Sequence, residues 1–285
     1  MTVLSIQSHV VRGRVGNRSA VFPLERMGID VWPLNTVQFS SHTGTPGWKG
    51  ASFGADHVAD IVGALDGLGA LGSCDAVLSG YVGDADTGRS ILGAVRAVKR
   101  DNPSALYCCD PVMGDKPAGF YVRPDVPGFM AREACPAADI VIPNLFESEV
   151  LAGSVVNNLA DAERVTAAIH ELGPRVVIIT SFSPPGEERT GFYLSDSGKP
   201  WTLMTPRLPF ASPPKGSGDL FSALFLGNYL KNRDAPSALG KAASSLFAIL
   251  EASQGSGCLA VVQAQESIEK PPRLFEAAMA YKARR

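Results

Sequence analysis

Charge of either sign is scarce in this sequence, and what there is nearly cancels. Lys and Arg number 26 against 28 Asp and Glu, 19% of the 285 residues are charged, and the net charge is −2. So small a field excludes binding of nucleic acid through a basic face and polybasic attachment to a membrane. Neither partner is expected, and a phosphate-bearing ligand must be held by local groups or by a metal. No run of about 18 uncharged apolar residues occurs, so no membrane-spanning helix is expected. The opening Met1-Thr2-Val3-Leu4-Ser5-Ile6 lacks the basic segment and the length of a secretory signal.

Cysteine is equally uninformative in number and spacing. Cys74, Cys108, Cys109, Cys135 and Cys258 form no CxxC and no Cys/His metal spacing. Reduced thiols and a cytoplasmic location are expected. Adjacent Cys108-Cys109 fits two small residues ending a buried strand better than a redox pair. Asn17-Arg18-Ser19 matches a glycosylation acceptor, but no secretory signal accompanies it. The four histidines, His9, His42, His57 and His170, show no metal spacing. There is no Walker A pattern, no GxGxxG after the first strand and no GxSxG elbow. P-loop NTPases, simple dinucleotide dehydrogenases and hydrolases built on a nucleophile elbow are therefore disfavoured.

What the chain does have is apolar residues, 45% of the total, enough for a large core. Their spacing alternates between strand and helix. Val3–Ile6 reads as a buried strand, followed by a helix capped by Asn17 that runs to about Met27, is interrupted by Pro23 and ends at Gly28. Val31–Val37 is a strand, Asp56–Leu68 a helix, and Ala76–Leu78 a short strand. Ile91, Leu92, Val95 and Val98 mark another helix. Strands follow at Ala105–Cys109, Ile140–Ile142 and Val176–Ile179, with helices from Asn144 and over Ala162–Leu172. Gly191–Leu194 and Trp201–Met204, around a turn at Asp196-Ser197-Gly198, form a smaller antiparallel portion. Helices to about Lys231 and over Ala235–Ala252 precede a polar helical tail. The alternation predicts an α/β fold with a mostly parallel sheet covered on both faces, in one domain over residues 1–285.

Two features carry chemistry. Gly216-Ser217-Gly218-Asp219 feeds the apolar Leu220-Phe221-Ser222-Ala223-Leu224-Phe225. A glycine turn entering a helix presents unpaired N–H groups and a positive dipole end to an anion. Asp219 in that first turn is either an ordinary helix-start acid or a group with a task. Polar residues also recur just after strands: Ser8, Thr43, Tyr81, Asp110, Asn144 and Thr180. In an open parallel sheet those positions share one edge, where ligands bind. Asp110, Asp115, Glu147 and Asp219 suit an oxygen-ligated Mg²⁺ completed by phosphate oxygens and water. The glycine-rich, proline-containing stretch from Asp110 to Pro127 is long enough to be functional.

Read together, Ser5-Ile6-Gln7-Ser8-His9-Val10, Leu34 through Gly44 (LNTVQFSSHTG), Leu78-Ser79-Gly80-Tyr81, Cys109 through Asp115 (CDPVMGD), Pro143 through Glu149 (PNLFESE) and Gly216 through Phe221 (GSGDLF) resemble the pyridoxal kinases of the ribokinase-like superfamily. The resemblance spans nearly the whole chain, in order. The GSGD turn alone points to the superfamily; the first two blocks point to the B6 branch. What it implies is a three-layer α/β/α fold with a small antiparallel edge portion, and phosphorylation of the 5′-hydroxyl of pyridoxal by ATP, extending to pyridoxine and pyridoxamine. Asp219 would be the general base, and the N–H groups of Gly216, Ser217 and Gly218 the anion hole. Ser8, Phe39, His42, Thr43, Gly44, Trp48, Tyr81 and Asp219 would surround the vitamer. Asp110, Asn144, Glu147, Thr180, Ser181 and the glycine turn would hold ATP, with Mg²⁺ at Asp110, Asp115 and Glu147. A monovalent cation such as K⁺ and a homodimer are also implied, and the loop Lys116–Tyr121 would cover the phosphates. The chain departs in having Thr180 where some similar bacterial enzymes carry a lysine. Lys215 would either lend charge to the phosphates or point to solvent, and solvent is the expectation. The competing functions are a hydroxymethylpyrimidine kinase and a non-catalytic B6-vitamer binding protein.

Overall fold

The structure is a computed structural model, and it describes residues 1–280 except 117, 184–187 and 211–212. Ten strands form one sheet. In spatial order they are β12 (Ala278–Met279), β11 (Lys199–Pro206), β10 (Arg189–Asp196), β9 (Val176–Phe182), β8 (Ile140–Val141), β5 (Leu106–Cys109), β4 (Ala76–Ser79), β1 (Thr2–Val10), β2 (Asp30–Phe39) and β3 (Gly50–Ser52). The run from β9 to β2 is parallel. Antiparallel strands close both edges, β10 to β12 at one and β3 at the other. Of these, the sequence pattern anticipates only β10 and β11. Gly50–Ser52 is fully exposed, so it has no alternation of apolar and polar residues to betray it.

Strand alternation divides the core in two. Leu4, Ile6, Val77, Cys109, Val141 and Val177 face one layer, with Val58, Ile91, Val95, Val165 and Ile169 from the helices on that side. Val3, Ala76, Leu78, Cys108, Ile140 and Val176 face the other, with Leu24, Leu220, Phe221, Leu224 and Leu239. The first layer consists of α2 (Ala55–Gly67), α3 (Ala85–Asp101), α4 (Val126–Phe129), α5 (Cys135–Ala137), α6 (Leu145–Ala152) and α7 (Leu159–Leu172). The second consists of α1 (Asn17–Arg26), α8 (Ser217–Asn232) and α9 (Ala235–Ala252). This is the expected three-layer arrangement. In α8 every residue from Leu220 to Leu230 is buried, because the helix is packed by the sheet, α1 and α9 together.

Several local expectations change. Asn17 does not cap α1; Gly16 does, and Asn17 is buried with its amide bonded to Leu34 O and Asn35 Oδ1 and its carbonyl accepting from Ser5 Oγ. Pro23 lies inside α1 without ending it, the helix being held from both sides by packing. Gln7, Ser8 and His9 remain in β1, which continues past an irregularity in its pairing with β2. The irregular stretch after Asp110 contains a small hairpin, β6 (Gly114–Asp115) with β7 (Gly119–Phe120), and ends as α4 begins. The polar helical tail is not formed. Residues 265–268 make one 3₁₀ turn, and the chain then runs extended to β12, Phe275 N donating to Ser244 Oγ of α9 and Ala280 N to Pro200 O. The last residues of that tail, 281–285, lie outside the described residues, as does Pro117 of the expected phosphate-covering loop.

Candidate active site

A cavity of about 1260 Å³ runs along the carboxyl ends of the parallel strands. It spans the point between β1 and β4 where the strand order reverses, the usual ligand crevice of such sheets. Ser8, Phe39, His42, Thr43, Gly44 and Tyr81 line one end. Asp110, Asp115, Asn144, Glu147, Thr180 and Ser181 line the other, and Gly216, Ser217, Gly218 and Asp219 lie along the same wall. Of the residues expected to contact the vitamer, ATP or metal, Trp48 alone does not line the cavity. It packs on Phe39, ring centroids 4.6 Å apart, and so backs the lining from outside.

The glycine turn is built by close backbone approach. Gly216 has φ +88°, and a Cβ there would meet Arg14 O at 1.6 Å, so only glycine fits. Ser19 Oγ donates to Gly216 O at 3.0 Å, pinning α1 to the turn. From the same loop Gly16 N donates to Asp219 Oδ2 at 2.8 Å. Gly16 is equally constrained, since a Cβ would lie 2.0 Å from Ser8 O. One carboxylate oxygen of Asp219 is thus held by a residue 203 positions earlier. Burial pushes Asp219 up from 3.8 to about 6, against the lowering effect of that hydrogen bond.

Ser222 follows Asp219 by one helical turn and donates its Oγ to Asp110 Oδ2 at 2.9 Å. Asp110 is buried and held well above the usual carboxylate range, first by desolvation, then by the neighbouring carboxylates Glu147 and Asp219. Ser222 was not singled out in the sequence; its apolar neighbours on both sides hide it in what reads as a core helix.

Glu147 has a different position from the one its residue type suggests. Its Oε1 accepts from Met113 N at 2.8 Å and Gly114 N at 3.4 Å, and its Oε2 accepts from Asn144 N at 2.8 Å. Asn144 Oδ1 in turn accepts from Glu147 N at 3.0 Å, completing a reciprocal cap on α6. Asn144 Nδ2 donates to Gly114 O at 2.7 Å. Burial raises Glu147 to about 7. This carboxylate therefore fastens the CDPVMGD loop to α6. Among the described residues no three His, Cys, Asp or Glu side chains form a ready metal cluster, so Asp110, Asp115 and Glu147 are not brought together as one ligand set. The donor chemistry still fits a hard divalent cation that shares its ligands with phosphate, because Asp110 is a buried acid with carboxylate neighbours.

Thr180 N donates to Pro143 O at 2.9 Å, tying β9 to the start of α6. Ser181 carries φ +57°, unusual for a side-chain-bearing residue. Lys215 is mostly exposed but does not simply point to solvent: its Nζ lies 3.8 Å from Asp115 Oδ2, and it lines the cavity. Beyond the polar groups, an apolar wall of Leu208, Phe210, Ala243, Leu246, Phe247 and Leu250 extends the nucleotide-side end. These residues carry no sequence signal of their own, since apolar positions in α9 read as core.

His9, His57 and His170 stay outside the cavity, the last bonded to Pro174 O and Ser195 Oγ at 2.8 Å each. The described cysteines are all free thiols, and Cys108 and Cys109 are buried at the end of β5.

A family model described as phosphomethylpyrimidine kinase matches residues 72–260. A pyridoxal kinase PdxY of Rubrobacter xylanophilus is 47% identical over 280 residues, covering 96% of either chain. A pyridoxal kinase PdxY of Deinococcus radiodurans is 43% identical over 284 residues, covering 96% of this chain and 95% of its own. Among solved structures, the pyridoxal kinase of Leishmania donovani in complex with ADP and pyridoxamine superposes with a TM-score of 0.92 at 30% identity, over 98% of this chain and 99% of that one.

Proposed function

The chain belongs to the pyridoxal kinases, and from that premise we propose that it transfers the γ-phosphoryl group of ATP to the 5′-hydroxyl of pyridoxal, with Asp219 as general base and the Gly216–Gly218 turn as anion hole. The observation that carries this reading is the position of Asp219: buried, at the first turn of α8, held through one oxygen by Gly16 N at 2.8 Å and lining the cavity beside the glycine turn. A base with an affinity for protons near that of the operating pH transfers them best, and burial brings Asp219 to about 6.

In this mechanism the vitamer lies at the Ser8, Phe39, His42, Thr43, Gly44 and Tyr81 end, with its 5′-hydroxyl toward Asp219. The hydroxyl oxygen attacks the γ-phosphorus as its proton passes to the Asp219 carboxylate. The bond between the γ-phosphorus and the leaving ADP oxygen breaks. The N–H groups at the start of α8, which have no partner within the helix, face the charge on the transferring oxygens, and their fixed placement is what such a reaction demands of a protein. ATP occupies the other end, its base against the apolar wall including Leu246 and Phe247 and its phosphates near Asn144, Thr180 and Ser181. Asp110, Asp115 and Glu147 would hold a divalent cation such as Mg²⁺, which would neutralise phosphate charge.

Pyridoxine and pyridoxamine belong to the same proposal, supported by solved relatives in complex with ADP and either compound. A K⁺ requirement and a homodimer are proposed from the family resemblance alone. The test is to mix purified protein with MgATP, K⁺ and pyridoxal, pyridoxine, pyridoxamine or hydroxymethylpyrimidine in parallel and measure each phosphorylated product. Preference for the pyrimidine would overturn the substrate assignment. Pyridoxal binding with no product would make the chain a vitamer-binding protein.

A further inference from the structure

The cavity is short of positive charge. Four carboxylates line it, Asp110, Asp115, Glu147 and Asp219, against three described cations, Lys116, Arg207 and Lys215. Two of the three are engaged. Lys116 is held by both oxygens of Glu149, at 2.9 and 2.8 Å, and Arg207 donates to Ser183 Oγ at 3.0 Å. Thr180 of β9, which also lines the cavity, is neutral. Lys215 is left. Its Nζ is 3.8 Å from Asp115 Oδ2, too long for a hydrogen bond, and its side chain is 62% exposed. The same ammonium adds to burial in disfavouring the imidazolium of His42, which also lines the cavity. It therefore stands between the nucleotide-side loop that carries Asp115 and the vitamer-side loop that carries His42, one residue before the glycine turn.

We propose that Lys215 is a catalytic residue of the phosphoryl transfer: its ammonium leaves Asp115 and contacts the non-bridging oxygens of the phosphoryl group as that group moves from ADP to the vitamer hydroxyl. A four-carbon stem with three donors suits this, since the cation must follow a moving charge and not clamp a fixed one. The weak contact with Asp115 parks the side chain near the phosphates at little cost, because an exposed ion pair at this distance contributes little. Contact made only as charge shifts lowers the barrier without tightening substrate binding.

The role rests on the glycine turn being where the phosphoryl group passes, so Asp219→Asn is assayed alongside. Steady-state kinetics are measured for wild type, Lys215→Met, Lys215→Arg and Asp219→Asn with pyridoxal and MgATP. Losing one stabilising donor costs about 10²–10³-fold in kcat, so Lys215→Met is expected to lose about 10²-fold in kcat with both KM values within threefold. Lys215→Arg, which keeps the charge, is expected to recover at least tenfold of that. Near-wild-type kcat in Lys215→Met, or a loss confined to KM, overturns the role. Equal loss in the Met and Arg variants does the same. If Lys215→Met is active while Asp219→Asn is inactive, only the role of Lys215 falls. If Asp219→Asn retains turnover, the site assignment falls and Lys215 with it.

Discussion

Replacing Asp219 by Asn should make the protein more stable and nearly inactive at once. The carboxylate is buried, and its only described hydrogen bond is the one from Gly16 N. Burial pushes it from 3.8 to about 6. At ~1.4 kcal/mol for each tenfold change in proton affinity, keeping it ionised inside the fold at pH 7 costs about 3 kcal/mol. Asn has the same shape and still offers an oxygen to Gly16 N, while its amide group gives back part of the gain if it is left without an acceptor. A net stabilisation of about 1–3 kcal/mol is expected, read as a higher thermal midpoint in protein free of nucleotide and divalent cation. The pH dependence separates this cause from others. Between about pH 4 and pH 6 the folded carboxyl keeps its proton while the unfolded one releases it, so wild-type stability falls as pH rises through that window. The advantage of the variant should be absent below about pH 4 and complete above about pH 7. Turnover should fall by about 10²–10⁴-fold, the usual loss for a general base. A variant less stable than wild type at pH 7, or an advantage that does not change with pH, would refute the electrostatic reasoning. Near-wild-type turnover would remove Asp219 as the base.

Other outcomes follow from the same geometry. Glu147→Ala leaves the N–H groups of Met113, Gly114 and Asn144 buried without their acceptor. At about 1–3 kcal/mol for each orphaned group, denaturant unfolding should show a loss of at least about 3 kcal/mol, with Glu147→Gln losing less. Gly16→Ala drives a methyl group into Ser8 O and disturbs the N–H that orients Asp219; kcat should fall at least tenfold, by the sensitivity of reacting groups to small misplacement. Wild-type kcat ought also to decline below about pH 6, as Asp219 takes up its proton; a flat profile down to pH 5 argues against it. Chelation with EDTA should stop product formation and excess Mg²⁺ should restore it, since the phosphates would otherwise face Asp110 and its carboxylate neighbours uncompensated.

Most of the parallel sheet was legible because its strands are short apolar runs punctuated by polar residues, and the order of the blocks carried the family. The polar end of each strand marked the cavity correctly, from Ser8 to Thr180, since strand ends in a parallel sheet must share an edge. The misses have specific causes. Asn17 has the residue type of a helix cap, but its side chain is claimed by Ser5, Leu34 and Asn35. The polar tail has the composition of a helix, but its backbone N–H groups at Phe275 and Ala280 are claimed by Ser244 and Pro200. In both, local chemistry permits two uses, and a long-range partner chooses between them.

The sequence alone determined the layered fold, the glycine turn at 216–218 and the acid that follows it, because backbone freedom, periodicity and residue type are local properties. Tertiary structure alone decided what that acid is. Gly16 and Asp219 are 203 residues apart, and only the packing of α1 against α8 brings the N–H of one onto the carboxylate of the other. The same packing buries Asp219 and raises its proton affinity. It also sets Lys215 opposite Asp115, a hundred residues away along the chain. Proton affinity and charge balance depend on what surrounds a group in space, and neighbours along the chain do not specify that.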